Sequence, residues 1–320
     1  MSLENSTFDT SAAISSPTRS LIVKSDWAAA KRLILPIAFG VFCFLNLSSG
    51  WILYSLGQIL GAVFFAQCFI LLHEFGHDSF FKTRYLNTVF GQIASFLVFL
   101  PFHNWKKIHA LHHKWTGWRD LDPTTEKTFD GRFGTIQRQV IHFCWKYHVP
   151  IFTLGYRLGI YWKLEKLKRH LSPRDYFACQ LNMAAMVIVY IGLIFFAGDT
   201  LLRILPALYF SWAICDVVSL SQHSHIEMPV SNGIAVQPLK YREQAQYSRS
   251  LILPSAIGEY FYFNMNFHEA HHHYPGLPCY HLPKVQVPSK NAYPFWPWLK
   301  KVKSMPGVVF IFTTSKDRDF

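Results

Sequence analysis

Long apolar runs alternate along this chain with short polar stretches dense in histidine. Residues 1 to about 25 are polar and rich in Ser and Thr, which predicts a disordered tail. The first apolar run starts at Leu33, too late for a cleavable signal peptide. LILPIAFGVFCFLNL is followed by Ser48-Ser49-Gly50, then by WILYSLGQILGAVFFAQCFILL to Leu72. A bilayer core of about 30 Å needs about 20 apolar residues in a helix. The first run reaches that length only with the WAAA before it, so the pattern predicts spans at about 30–48 and 52–72. Two more are predicted at about 177–197 and 201–220, with AGDT as their turn. The run LNTVFGQIASFLVFLP is short for a crossing and predicts a re-entrant or interfacial segment at 86–101. Parity agrees, because a full crossing there would put the histidines on its two sides at opposite membrane faces.

Charge placement orients this arrangement. Asp199 and Arg203 fall near the outer turns, whereas Lys31, Arg32, Lys82, Arg84, Lys106, Lys107, Lys114, Arg242 and Arg249 fall on the other face. By the positive-inside rule that face is cytoplasmic, and both termini lie on it. KLEKLKRH at 163–170 reads as a basic interfacial helix. The expected fold is an all-α membrane protein with four transmembrane helices, a cytoplasmic histidine-rich catalytic cap and interfacial helices. Residues 26–290 form its membrane domain, and 291–320 a cytoplasmic C-terminal tail.

Composition changes little in this picture. The chain is 51% hydrophobic and only 16% charged, where a soluble domain carries about a quarter. The net charge of +12 follows from the topology, and no nucleic-acid partner is expected. The six Cys are scattered without a C-x-x-C pair, which reads as reduced filler rather than disulfides or a thiolate metal site.

Histidine is the outlier, with 16 residues, most of them in tight groups. His73-Glu74-Phe75-Gly76-His77 matches H-E-x-x-H, which puts two imidazoles one helical turn apart. HALHH carries His109, His112 and His113; HEAHHHYP carries His268, His271 and His272. Positions i, i+3 and i+4 share one helical face. SQHSHIE adds His223 and His225, of which His223 is preferred. A zinc protease would use His73 and His77 with Glu74 as base, but it would leave the other boxed histidines without a role. It also needs a distant Asp ligand, and Asp216 in AICDVVS lacks the expected setting. Eight or nine imidazoles are too many for one tetrahedral zinc and suit two metal ions. Imidazole alone does not choose among Fe, Cu, Zn and Ni. Oxidising an inert C–H bond with O2 calls for redox-active iron. Glu74, Asp120, Asp122 and Glu269 are candidate carboxylates to hold the imidazole tautomers. His103, His142, His148, His170 and His281 lack metal-ligand spacing, and His273 lies off the shared face.

HEFGH, WKKIHALHHKWTG and FHEAHHHYPGLPCYHLP resemble, in order and in position, the three histidine boxes of the integral-membrane fatty acid desaturase superfamily. HEFGH is similar to the H-E-C-G-H form of methyl-end acyl-lipid desaturases, with Phe75 where Cys is common. SQHSH is similar to their Q-H-T-H segment. The resemblance covers roughly residues 30–290. It implies iron ligands at His73, His77, His109, His112, His113, His268, His271 and His272, with His223 as a ninth. It implies no catalytic side chains beyond these ligands. Two irons and O2 would introduce a double bond into an acyl chain. Electrons would come from a separate ferredoxin or cytochrome-type carrier, since no H-P-G-G haem signature is present. Hydroxylases and ketolases of acyl chains or carotenoids share the boxes and stand as the alternative. The membrane would be a bacterial inner membrane or an organelle membrane such as the ER. FYFNMNF before the third box would line an apolar tunnel or sit at the membrane interface.

Overall fold

The computed structural model describes residues 23–128, 133–168 and 170–314. The expected polar tail therefore lies outside the described residues as far as residue 22. Helix α1 is Asp26–Leu45. Its entry is capped by Ser25 Oγ, which accepts from the Ala28 amide, and Asp26 in the first turn suits the positive end of the helix. Helix α2 is Trp51–Gly76, α3 is Arg84–Val98 and α4 is Phe102–Trp115. Between α3 and α4, Phe99 adopts a left-handed backbone (φ 58°), and the two axes meet at 99°. Helix α5 is Thr135–Lys146 and α6 is Pro173–His223. The described chain then supplies strand β1 (Ser250–Ile252), helix α7 (His268–His273), strand β2 (Ala292–Pro294), and helices α8 (Phe295–Ser304) and α9 (Gly307–Phe312).

The described chain divides into two compact units. The first holds residues 23–107 and 153–215, the second residues 108–152 and 216–314. In the first unit α1 and α2 pack through small residues. A Cβ added at Gly61 would stand 2.5 Å from Cys43 Sγ, so glycine permits this close approach. Helix α6 is broken at Ala197, whose backbone is non-helical (φ −140°, ψ 27°). Phe99 shows that the chain folds back there. Its ring stacks on Tyr190 at 4.8 Å and meets Trp212 edge-on at 6.1 Å. On one straight helix those two positions would stand about 33 Å apart. The second arm packs Ile204, Ala207 and Leu208 against Cys43, Leu47 and Phe65. Near Pro206 two polar groups are met from α2: Tyr54 Oη donates to the Arg203 carbonyl, and Gln58 Oε1 accepts from the Ala207 amide.

Helices α1, α2 and α6 are long and apolar enough to cross a membrane, and the bent pair α3–α4 passes the same test if taken as one. The runs expected at 177–197 and 201–220 are the two arms of α6. The segment expected to be re-entrant falls on α3 and its bend. KLEKLKRH, read as an interfacial helix, supplies one helical turn, Glu165–Lys168, among the described residues.

In the second unit the all-α expectation is corrected: β1 and β2 form a parallel two-stranded sheet with Ser250 opposite Ala292. Glu269 explains the pairing. Its carboxylate accepts from Ser289 Oγ and from the Lys290 and Asn291 amides, while its own amide donates to Ser250 Oγ. Glu269 thus holds the starts of both strands, β2 through its buried carboxylate and β1 through its backbone amide. Residues 291–320, expected as a tail, supply β2, α8 and α9. Trp298, Val302, Phe310 and Ile311 from this stretch join Trp145 and Leu251 in the core of the second unit.

Candidate metal centre

In the first unit, His73 and Glu74 occupy the last turn of α2, and His77 follows it directly. The two imidazoles stand 4.8 Å apart between ring centroids. Trp105 meets His73 edge-on at 5.7 Å. That approach depends on Gly76, where a Cβ would lie 2.2 Å from the Trp105 ring. Glu74 Oε1 lies 3.6 Å from His73 Nδ1, and Ser79 Oγ donates to Glu74 Oε2. Beyond His77 the chain turns through Asp78 (φ 53°). Lys106 Nζ donates to Asp78 Oδ2 at 2.8 Å and so holds that turn.

In the second unit, α4 presents His109, His112 and His113, α7 presents His268, His271 and His272, and His223 ends α6. Their ring nitrogens form two buried groups. In one, His113 Nε2 lies 3.1 Å from both His109 Nε2 and His271 Nε2. In the other, His272 Nε2 lies 3.1 Å from His223 Nε2 and 3.1 Å from His268 Nε2, and the latter two are 3.0 Å apart. His112 shares this second group, with a ligand atom within 4.8 Å of those of His223 and His272.

The second group carries its own test of fit to a metal. Asp122 Oδ2 lies 2.7 Å from His112 Nδ1, and the Tyr247 carbonyl lies 2.9 Å from His223 Nδ1. A neutral imidazole has one N–H, and each of these acceptors draws it to Nδ1. The Nε2 lone pairs are thereby left facing inward among other imidazoles. Burial, and after it the neighbouring imidazoles His113, His268, His223 and His112, hold His272 well below the usual imidazole range. Neutral, inward-facing nitrogens at this spacing repel one another until a cation lies between them, so the donor set fits a metal ion.

The structure brings the second and third boxes together with His223. It places His225 elsewhere, with its Nδ1 3.3 Å from the Thr313 carbonyl and a left-handed backbone (φ 58°). Of the four candidate carboxylates, Asp122 is bonded to an imidazole, and Glu74 lies 3.6 Å from one. Asp120 instead accepts from the amide and hydroxyl of Ser231, and Glu269 holds the strands. Three features gave no sequence signal: Gln244, with Oε1 3.3 Å from His272 Nδ1; the Tyr247 carbonyl; and Arg249. All three lie in KYREQAQYSRS, a polar loop without metal-ligand spacing. Arg249 is buried and closes the end of α6, donating to the carbonyls of Ser221 and Ser224 at 2.8 and 3.0 Å.

Comparison with known proteins agrees with this constellation. A family model described as fatty acid desaturase matches residues 49–299. The chain is 24% identical to an omega-3 fatty acid desaturase, chloroplastic, of Glycine max, over 85% of this chain and 62% of that protein. It is 24% identical to an sn-1 oleoyl-lipid 12-desaturase of a Picosynechococcus strain, over 83% of this chain and 77% of that one. It is also 24% identical to an sn-2 acyl-lipid omega-3 desaturase (ferredoxin), chloroplastic, of Helianthus annuus, over 81% of this chain and 61% of the relative. The chain thus spans about three-fifths of the length of the soybean and sunflower proteins. With a family match that runs from α2 into α8 and includes every boxed histidine, the chain belongs to the fatty acid desaturase family.

Proposed function

We propose that this chain is a membrane-embedded, O2-dependent oxidoreductase that introduces a double bond into a fatty acyl chain. The observation that carries this reading is the pair of buried imidazole groups, with lone pairs directed inward by Asp122 and the Tyr247 carbonyl. Seven histidines of the second unit (His109, His112, His113, His223, His268, His271 and His272) would hold iron there. The order of the boxes supports His73 and His77 as further ligands, giving nine. Bound iron would supply the O2 activation and hydrogen removal that no side chain of this chain provides. The protein's own part is to bury the imidazoles from water, to keep them neutral, and to hold each proton on the nitrogen that faces away from the metal.

The membrane arrangement proposed is four crossings: α1, α2 and the two arms of α6. A single straight helix of that length would exceed the bilayer core more than twofold, and the reversal at Ala197 supports two crossings. Both termini and the histidine groups would face the cytoplasm, a reading that the placement of Lys and Arg supports. Helix α5 fits an interfacial role. Ile136, Val140, Phe143 and Tyr147 form one exposed apolar stripe, with Arg138 and Lys146 on its polar side. Relatives named as ferredoxin-dependent acyl-lipid desaturases support a lipid-borne acyl substrate and a separate acidic electron carrier. The basic cytoplasmic face would attract such a carrier.

The test is mass spectrometry of total lipids from a host expressing the chain with a broad supply of electron donors, beside a His112→Ala control. New double bonds that vanish in the control are expected, and their position gives the regioselectivity. Oxygenated lipids or pigments in their place would overturn desaturation in favour of oxygen insertion.

A further inference from the structure

Gln244 is fully buried at the end of a single helical turn, Tyr241–Gln244, and makes three polar contacts. Its Nε2 donates to the His113 carbonyl at 2.7 Å and to the Leu239 carbonyl at 3.2 Å. Its Oε1 lies 3.3 Å from His272 Nδ1. The two carbonyls determine which way the amide points. With oxygen and nitrogen exchanged, an amide oxygen would stand 2.7 Å from the His113 carbonyl oxygen, and both N–H donors would lose their acceptors. Oε1 must therefore face His272 Nδ1, and an amide oxygen there accepts only if that nitrogen carries the proton. His272 has one proton to place when neutral. On Nδ1 it makes the bond to Gln244 and leaves Nε2 as a lone pair, directed at His223 Nε2 and His268 Nε2. On Nε2 it would set a lone pair against Oε1 and bar that nitrogen from a metal.

We propose that Gln244 is a positioning residue for the metal centre: it selects the tautomer of His272 that offers Nε2, and ties that ring to the backbone of the second box. This rests on the metal reading above and extends it to a residue outside the boxes. The inference gives the second imidazole group three different proton anchors: a carboxylate on His112, a backbone carbonyl on His223 and an amide on His272. Asp122 sits seven residues beyond α4, near its own box. Gln244 is remote from both boxes in sequence, and the fold alone brings it to the centre.

The experiment is anaerobic titration of the purified full chain with Fe2+, reading metal bound per chain and the midpoint potential. Gln244→Met keeps the side-chain volume and loses the acceptor, and is expected to weaken binding at one site about 10–100-fold. Gln244→Glu keeps an oxygen acceptor facing Nδ1 but loses both donors and sets its second oxygen against the His113 carbonyl. It is expected to recover part of that loss and to lower the midpoint potential, because a carboxylate makes the ring a stronger donor. In a His272→Ala background, Gln244→Met is expected to weaken binding no further. Equal weakening by Met and Glu would overturn the proposal and reduce Gln244 to an anchor for two carbonyls. So would wild-type affinity in the Met variant, or an additional loss in the His272→Ala background. If the Met variant does not fold, the Glu variant decides, and an unchanged potential overturns the proposal. A wild-type chain that takes up no iron overturns the metal reading and this proposal together, an outcome distinct from all the others.

Discussion

The two units invert each other's use of burial. In the first, α6 turns its apolar side chains outward: Phe196 is 93% exposed, and only 11% of the helix's most apolar window is buried. In the second, Asp122, Arg249, Glu269 and five of the boxed histidines lie under 4% exposed. The outer surface of the first unit suits lipid, and its interior is mostly apolar, although Gln58, Glu74, Asn104 and Arg157 are buried there too. The second unit puts polar groups where nothing but another protein group can satisfy them. Stability and function are therefore distributed differently. Exposed apolar positions of the first unit tolerate apolar substitution, whereas each buried polar group of the second is tied to several others.

The largest effect expected is at Arg249. Burial lowers its guanidinium pKa to about 10, which still leaves it charged at neutral pH. It serves the carbonyls of Ser221 and Ser224, on either side of His223, at the negative end of α6. Arg249→Met strands both carbonyls, and a loss of about 3 kcal/mol or more is expected in thermal denaturation of the detergent-solubilised chain. Arg249→Lys should recover only part, since an ammonium lacks the planar fork that spans two acceptors. A Met variant as stable as wild type would break the contrast, because a buried charge in the second unit would then be dispensable.

Asp122→Ala comes next. It removes the acceptor from His112 Nδ1 and from the Thr124 amide and hydroxyl. Metal affinity is expected to fall about 10–100-fold, measured by Fe2+ titration, with a smaller loss in Asp122→Asn, which keeps an oxygen acceptor.

How much of this could be read from the sequence follows the same division. The long apolar helices were legible because length and hydropathy mark them, and the four apolar runs fall on α1, α2 and the two arms of α6. The boxes were legible because i, i+3, i+4 spacing on a helix is itself the geometry of α4 and α7. Asp122 was within reach, as a carboxylate close to a box. Gln244, the Tyr247 carbonyl and Arg249 were not, because the site groups they meet lie 24 or more positions away and nothing local marks the pairing. The strand pair and the packed residues after 291 were missed for the same reason. Three-residue strands carry no readable period, and Glu269, which fixes them, read as a partner for imidazole.

Gln58 sharpens the comparison from the other side, as a polar group inside the first unit. It meets the Ala207 amide next to Pro206, where Ala207 is fully buried from water. Gln58→Leu should cost about 1–2 kcal/mol in thermal denaturation, through one unmet amide. Gly61→Ser, which forces α1 and α2 apart at Cys43, should cost about 1–3 kcal/mol by overpacking. A larger loss for Gln58→Leu than for Arg249→Met would reverse the order the two units imply.

The smallest effect expected belongs to Lys303, and it is read as a pH dependence. Its ammonium lies over the Trp145 ring at 3.5 Å and donates to the Trp145 carbonyl, yet burial lowers its pKa to about 8. In the unfolded chain the same group titrates near 10.5. Between those values the unfolded state binds more protons than the folded one, so this lysine makes stability rise as pH rises from about 8 towards 10.5. Below pH 8 both states are charged and its contribution is constant. Buried thiols such as Cys144, whose pKa burial raises, act in the opposite sense over the same range. The lysine is isolated by subtraction. The stability of wild type minus that of Lys303→Met should move in favour of wild type between pH 8 and 10. The change should stay below about 1 kcal/mol, because the group is partly open to solvent and its interactions are screened. A flat difference would mean that the ammonium keeps its water in the folded chain. The rule that the second unit buries its polar groups would then stop short of α8.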